Sequence, residues 1–418
     1  MAPYESDDST AGAGPLKGRG KASRYAVPVA VVGVAAATIG IVPALAASGD
    51  PDLPDISAQQ LIEKIAASDV QQLSGTVKIN TDLGLPGLGG LEKSFGSGFG
   101  GSGQGGRSGD DGSAADPSAK VTELASGSHT LRVAADGPDR QKVSILEDAA
   151  EYSLIHNGQD VWGYDSKSNE VYHATADGEH DAGKHGKRGK DGDTGELPAT
   201  PRDLAQEALK AVDDTTSVTV DGTVHVAGRD AYKLLIEPKQ SGTTVGAVSI
   251  AVDAKTGMPL KFTLTPAAGG AAVVDVGFTK VSFAKPDAST FDFTPPKGAK
   301  VTEGENAAPD REHTGRGLPG AEFGAGAFGK GVDGAKIVGT GWNAVATFDT
   351  GGQGIPSGSE VGGDLGGFLD SLGDKVSGKF GSGTVFSTRL VNALVTDDGK
   401  VYVGTVDKDT LVRTANAG

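Results

Sequence analysis

The chain has 418 residues, no cysteine, 66 glycines and a formal net charge of −16. Without cysteine there is no disulfide framework, no thiolate metal site, no thiol nucleophile and no lipidated cysteine after the apolar N-terminal segment. The acidic balance repels phosphate backbones and anionic headgroups and argues against nucleic acid as a partner. Much of the glycine lies in runs that cannot pack, so structured material is expected over about 250–300 residues, in one or two domains.

Residues 1–24 set Lys17, Arg19, Lys21 and Arg24 against Glu5, Asp7 and Asp8, a net of +1 that leaves −17 for the rest. The apolar run AVPVAVVGVAAATIGIVPAL follows at 26–45. Twenty helical residues at about 1.5 Å each span about 30 Å, the thickness of a bilayer core. Bases on its N-terminal side stay in the cytoplasm, which makes 1–24 a cytoplasmic basic region and sends the remainder out. The segment 25–47 therefore reads as a signal peptide or a membrane anchor. Pro43-Ala44-Leu45-Ala46-Ala47 carries the small-x-small pattern that signal peptidase cuts, whereas the length of the run favours retention. Both readings place the protein outside the cytoplasm, secreted or held to the outer face of the cytoplasmic membrane.

After a polar linker, Ser57 to Asp69 predicts an amphipathic helix. Ser57 and Gln60 form a capping box, and Ile56 and Leu61 have the spacing of a hydrophobic staple. Leu73 to Asn80 predicts a strand. The glycine- and serine-rich stretch from Gly84, taken as an insertion over about 84–118, is too costly in backbone entropy to order. Five strands are expected over 119–175, with turns at Asp136-Gly137-Pro138, Asn157-Gly158 and Ser166-Lys167-Ser168-Asn169. A second charged insertion covers 177–198, and its His180 and His185 lack a scaffold for metal binding. Thr200-Pro201-Arg202-Asp203 opens another helix: threonine caps, proline takes the first turn and Asp203 meets the positive end of the dipole.

The strongest β signal follows. Val218, Val220, Val224 and Val226 fall on even positions, as do Tyr232, Leu234, Ile236, Val248, Ile250, Val252, Met258, Leu260, Phe262 and Leu264. Period two across consecutive hairpins means an antiparallel sheet with one apolar face. Val274, Val276 and Phe278 continue it, and Val281 and Phe283 switch phase, which predicts a bulge near Thr279-Lys280. Phe291 and Phe293 read as a closing strand. Residues 303–333 form a Gly-rich linker. In a C-terminal unit at 334–418 the pattern predicts a strand over 335–348, a helix near 365–372, strands over 385–396 and 401–406, and a helix from Asp407. The expected fold is α+β: a strongly curved antiparallel sheet, an unclosed half-barrel with helical lids, plus a small C-terminal α+β unit.

Three stretches in the right order carry a resemblance, the first being the amphipathic entry helix from Ser57. Ile155-His156-Asn157-Gly158-Gln159-Asp160-Val161-Trp162-Gly163-Tyr164-Asp165 is similar to the DGK-x-LW-x-YxP hairpin of the LolA-like superfamily, the periplasmic lipoprotein carriers and related sigma-factor regulatory sensors. Phe291-Asp292-Phe293-Thr294-Pro295-Pro296-Lys297-Gly298-Ala299-Lys300-Val301 resembles its closing F-x-F-x-PP-x-G-x-x-V element. The resemblance covers about 56–302 and implies a half-barrel over a hydrophobic cavity for acyl chains. Trp162, Tyr164, Leu234, Ile250, Leu260, Phe262, Phe278 and Phe293 are the candidate lining residues. The carriers place an arginine before a proline on an early strand. Here Val133-Ala134-Ala135-Asp136-Gly137-Pro138 has none, and Arg132 and Arg140 are out of register, which tells against lipoprotein transfer by that route.

No Gly-x-Ser-x-Gly is present, nor a Ser-x-x-Lys in a helical frame. His129, His156, His173 and His225 have no metal-ligand spacing and read as structural or surface residues. The chain thus reads as non-catalytic and without a cofactor. The expected partner is a lipid or acylated protein. The alternative is a membrane-tethered sensor that binds an anti-sigma factor or other envelope protein.

Overall fold

The computed structural model describes residues 50–84, 113–117, 120, 124, 126–175, 200–304, 336–349 and 373–418. The segment at 25–47, both insertions for the most part, the linker at 303–333 beyond its first two residues and the helix expected near 365–372 lie outside the described residues. The described residues belong to one unit, Asp50–Gly418. No helix among them is long and apolar enough to cross a membrane.

Helix α1 (Ala58–Ala66) starts where its caps place it: Ser57 Oγ accepts from Gln60 N at 3.2 Å, and Gln60 Oε1 accepts from Ser57 N at 3.0 Å. Strands β1 (Gln72–Thr81), β2 (Gly127–Asp136), β3 (Arg140–Leu146), β4 (Glu151–Asn157), β5 (Asp160–Asp165) and β6 (Glu170–Thr175) follow. Helix α2 (Pro201–Lys210) has a second capping box, from Thr200 and Asp203. Next come β7 (Thr216–Val226), β8 (Arg229–Pro238), β9 (Val245–Asp253), β10 (Pro259–Pro266), β11 (Val274–Ser282) and β12 (Lys300–Glu303).

These twelve strands form one sheet in the order β12-β6-β5-β4-β3-β2-β1-β11-β10-β9-β8-β7, and its edges do not pair with each other. Pairing is antiparallel except between β12 and β6. The sheet is the expected unclosed α+β half-barrel. Thr76 pairs with Lys280 and Val77 with Phe278, so Thr279 is the bulged residue that turns the phase of β11.

Three expectations change. Lys120 and Leu124, expected in a strand, are helical, and β2 begins only at Gly127. Residues 113–116, assigned by composition to the insertion, are held in the fold: Ala115 is fully buried and its carbonyl accepts from Tyr152 Oη at 3.1 Å. Gly163 makes room for it, since a Cβ there would collide with the Ala115 carbonyl. Phe291 and Phe293 are not in a strand. They lie in a strap that leaves β11 at Ser282 and passes through a 3₁₀ turn at Ala288–Thr290, and pairing resumes only at Lys300.

A six-stranded sheet follows, ordered β13-β14-β18-β17-β16-β15. Its strands are β13 (Lys336–Val338), β14 (Val345–Asp349), β15 (Gly373–Gly378), β16 (Gly381–Ser387), β17 (Asn392–Thr396) and β18 (Lys400–Gly404), and α3 (Lys408–Ala417) packs on it. The single strand expected over 335–348 is broken because Gly339 and Gly341 take positive φ, 88° and 59°, and Trp342 turns inward. The strand expected over 385–396 is two strands, joined at 388–391, where Thr388 N donates to Val391 O.

Candidate functional site

Antiparallel registry carries the alternation of β7–β11 across the sheet. Val220, Leu234, Ile250, Phe262, Val276 and Ile79 face one another in a row over six strands. Beside it runs Val218, Ile236, Val248, Leu264 and Val274. Both rows are on the concave face. Helix α1 lies over β7 and β8 and inserts Leu61 and Ile65; α2 lies over β9–β11 and presents Pro201, Leu204, Ala205 and Ala208. The alanines let the α2 backbone approach the sheet. The arm before α1 crosses the β7–β8 hairpin, where Pro51 and Pro54 carbonyls accept from Thr223 Oγ1 at 2.8 Å and Tyr232 Oη at 2.9 Å.

Five of the eight candidate residues meet on this face. Leu234, Ile250, Leu260 and Phe262 are 0% exposed and Phe278 4%. A void wide enough for water would leave such side chains measurable surface, so in this state the concave face is closed and filled.

The other three are elsewhere. Trp162 pairs with Ile155 and Tyr164 with Ser153, the phase opposite to Tyr152 and Leu154, which pack with the concave core. Trp162 and Tyr164 therefore stand on the outer face, where the strap brings Phe293 to ring-centre distances of 5.5 and 5.7 Å. His173 stacks on Trp162 at 3.8 Å. Its Nε2 meets Asp160 at 3.0 Å and its Nδ1 meets Glu303 of β12 at 2.8 Å. Burial opposes protonation of this imidazole, but bonds to the two carboxylates outweigh it and raise its pKa above the usual value. Its partners are 13 and 130 residues away in the chain, out of reach of any local spacing. The position of Arg132 also becomes definite: it alternates with the buried Leu131 and Val133 and faces outward, away from the apolar rows.

No protein-family model matches the chain. No curated protein matches it in sequence. Among solved structures, its neighbours include LolA-superfamily proteins and MucB, all remote. The Pseudomonas aeruginosa MucA/MucB complex matches at 16% identity and a TM-score of 0.37, over 86% of this chain and 96% of that one. A LolA superfamily protein from Nitrosomonas europaea matches at 11% and 0.21, over 57% and 99%. A putative outer membrane lipoprotein-sorting protein domain from Vibrio parahaemolyticus matches at 8% and 0.20, over 56% and 96%.

Proposed function

We propose that the protein is an extracytoplasmic, non-catalytic binding protein whose half-barrel receives the acyl chain of a lipid or an acylated protein beneath α1 and α2. The observation that carries this reading is a continuous apolar face, six strands wide, closed by two helices of only nine and ten residues. Lifting a helix breaks no strand pair. The two main anchors of α1, Leu61 and Ile65, hold it with about 1.5–3 kcal/mol each. An acyl chain returns about 0.8 kcal/mol per buried methylene, so about four to eight methylenes offset such an opening. Leu234, Ile250, Leu260, Phe262 and Phe278 are the residues proposed to meet the chain. Trp162, Tyr164 and Phe293 instead hold the strap.

A second reading is favoured by the outward Arg132 and by the docked C-terminal sheet. On this reading the half-barrel is a tethered regulatory sensor, and the second sheet contacts an anti-sigma factor or other envelope protein. The segment 25–47 bears on the choice: cut near Ala46 it leaves a diffusing protein, and retained it tethers the half-barrel to the membrane surface.

The test is native mass spectrometry of the full chain in mild detergent, followed by delipidation and titration with a fluorescent fatty acid. Uptake should rise when Leu61→Ala loosens the lid. A wild-type chain that carries no lipid, with neither it nor the variant taking up the probe, would exclude the acyl-binding reading.

A further inference from the structure

The strap leaves β11 at Ser282 and must cross five strands to reach β6, and it does not lie flat on them. Between Thr290 on the strap and strands β11, β1, β2 and β3 is a groove of about 470 Å³, open to solvent. Its floor consists of small side chains. Ser74 of β1 stands between Ser282 and Ala134, and beside it Thr76 stands between Lys280 and Arg132. Ser144 extends the second row on β3.

Three bases rim this floor: Arg132, Lys142 and Lys280. Glu151 also lines the groove, and it is already engaged, 3.8 Å from Arg132 and accepting from Ser153 Oγ at 2.9 Å. Lys142 and Lys280 form no ion pair with any described residue. Acids outnumber bases by 54 to 38 in this chain. Two ammonium groups left without carboxylates on opposite sides of one groove are thus a local reversal of the protein's charge.

We propose that this groove binds a small phosphate-bearing ligand, with Lys142 and Lys280 as charge partners and the hydroxyls of Ser74, Ser282 and Thr290 as hydrogen-bond donors. A monocarboxylate satisfies one cation, whereas a phosphate presents several oxygens and spreads its charge toward both walls. The volume lies within the range of small-ligand sites, so there is room for the group that carries the phosphate. The groove is on the face opposite the apolar rows and its occupancy does not depend on the lids.

The phosphate could be free or part of a lipid headgroup, and calorimetry on the full chain in non-ionic detergent separates the two. The probes are inorganic phosphate and glycerophosphoglycerol, a headgroup without its chains. Saturable binding is expected for at least one, and the tighter probe identifies the source. Lys142→Gln with Lys280→Gln should weaken it about tenfold or more, while exposed Lys297→Gln leaves it unchanged. The melting temperature of the double variant checks its fold. Raising the salt from about 0.05 to 0.5 M should independently weaken wild-type binding, because screening shortens the reach of the ammonium charges. Failure of the wild type to bind either probe, equal binding by the folded double variant, or salt-insensitive binding would each overturn the site.

Discussion

Asp253 shows how a single side chain joins two hairpins. It is 1% exposed and accepts from Thr256 N at 2.7 Å and Lys255 N at 3.1 Å, which shapes the β9–β10 turn. It also receives the Arg229 guanidinium through Nε and, at 3.0 Å, Nη2. Burial pushes its carboxyl pKa up, but the Arg229 fork and the Thr256 bonds outweigh this and hold it below the ordinary value. The native value is thus below the unfolded one. The stabilisation is complete above the ordinary carboxylate range and is lost as the pH falls through the native value. Asp253→Asn should cost about 3 kcal/mol in urea unfolding at neutral pH, with the gap to wild type closing on acidification. Gly75 acts by absence. A Cβ there would lie 2.5 Å from the Lys280 carbonyl and 2.9 Å from the Phe278 ring, beside the bulge. Gly75→Ala should cost about 1–3 kcal/mol, read as a lower melting temperature.

At the scale of elements, the strap and β12 depend on side chains more than on backbone pairing. β12 has four residues in parallel pairing on a sheet edge, with Val301 44% exposed. His173 ties it to β5, because the imidazolium donates to Glu303 and Asp160 together. A neutral ring donates to only one of them. With the native pKa raised, this contribution is fully present below the unfolded value of 6.5 and is lost as the pH rises through the native value. The melting-temperature difference between wild type and His173→Gln should therefore shrink as the pH is raised past 6.5. A constant difference from acid to alkaline pH would show that stacking on Trp162 alone accounts for the residue.

At the scale of the molecule, the C-terminal sheet is built onto the β8–β9 end of the half-barrel. Thr244 N donates to Thr405 O at 2.9 Å, and Asp407 N to Gly242 O at 2.8 Å. Arg389 reaches Asp82 at 2.6 Å and also donates to the Ala271 carbonyl. Trp342 is the anchor: it is 3% exposed, packs with the main core and donates from Nε1 to the buried Thr216 Oγ1 at 2.9 Å. Trp342→Ala should cost about 3–5 kcal/mol. It also leaves Trp162 as the single tryptophan, a reporter of the half-barrel alone. Fluorescence and circular dichroism should then give separate denaturant transitions. Coincident transitions at the wild-type midpoint would mean that the two sheets do not uncouple.

The sequence by itself determined the elements whose signals are local. The capping box at Ser57 and the Thr200 cap with Pro201 and Asp203 placed the helices, and period-two alternation from Val218 to Phe278 placed five strands, their shared face and the bulge near Thr279-Lys280. These follow from neighbours within a few residues, as do the turns at Asn157-Gly158 and Gly257. Only the tertiary structure decided which face each aromatic meets. Trp162 and Phe293 share a spacing with core residues, yet the crossing of the strap puts them outside. The same crossing encloses the groove between Lys142 and Lys280 and brings Glu303 to His173. Those juxtapositions join residues more than 100 positions apart, and strand order, which no local pattern encodes, decides them.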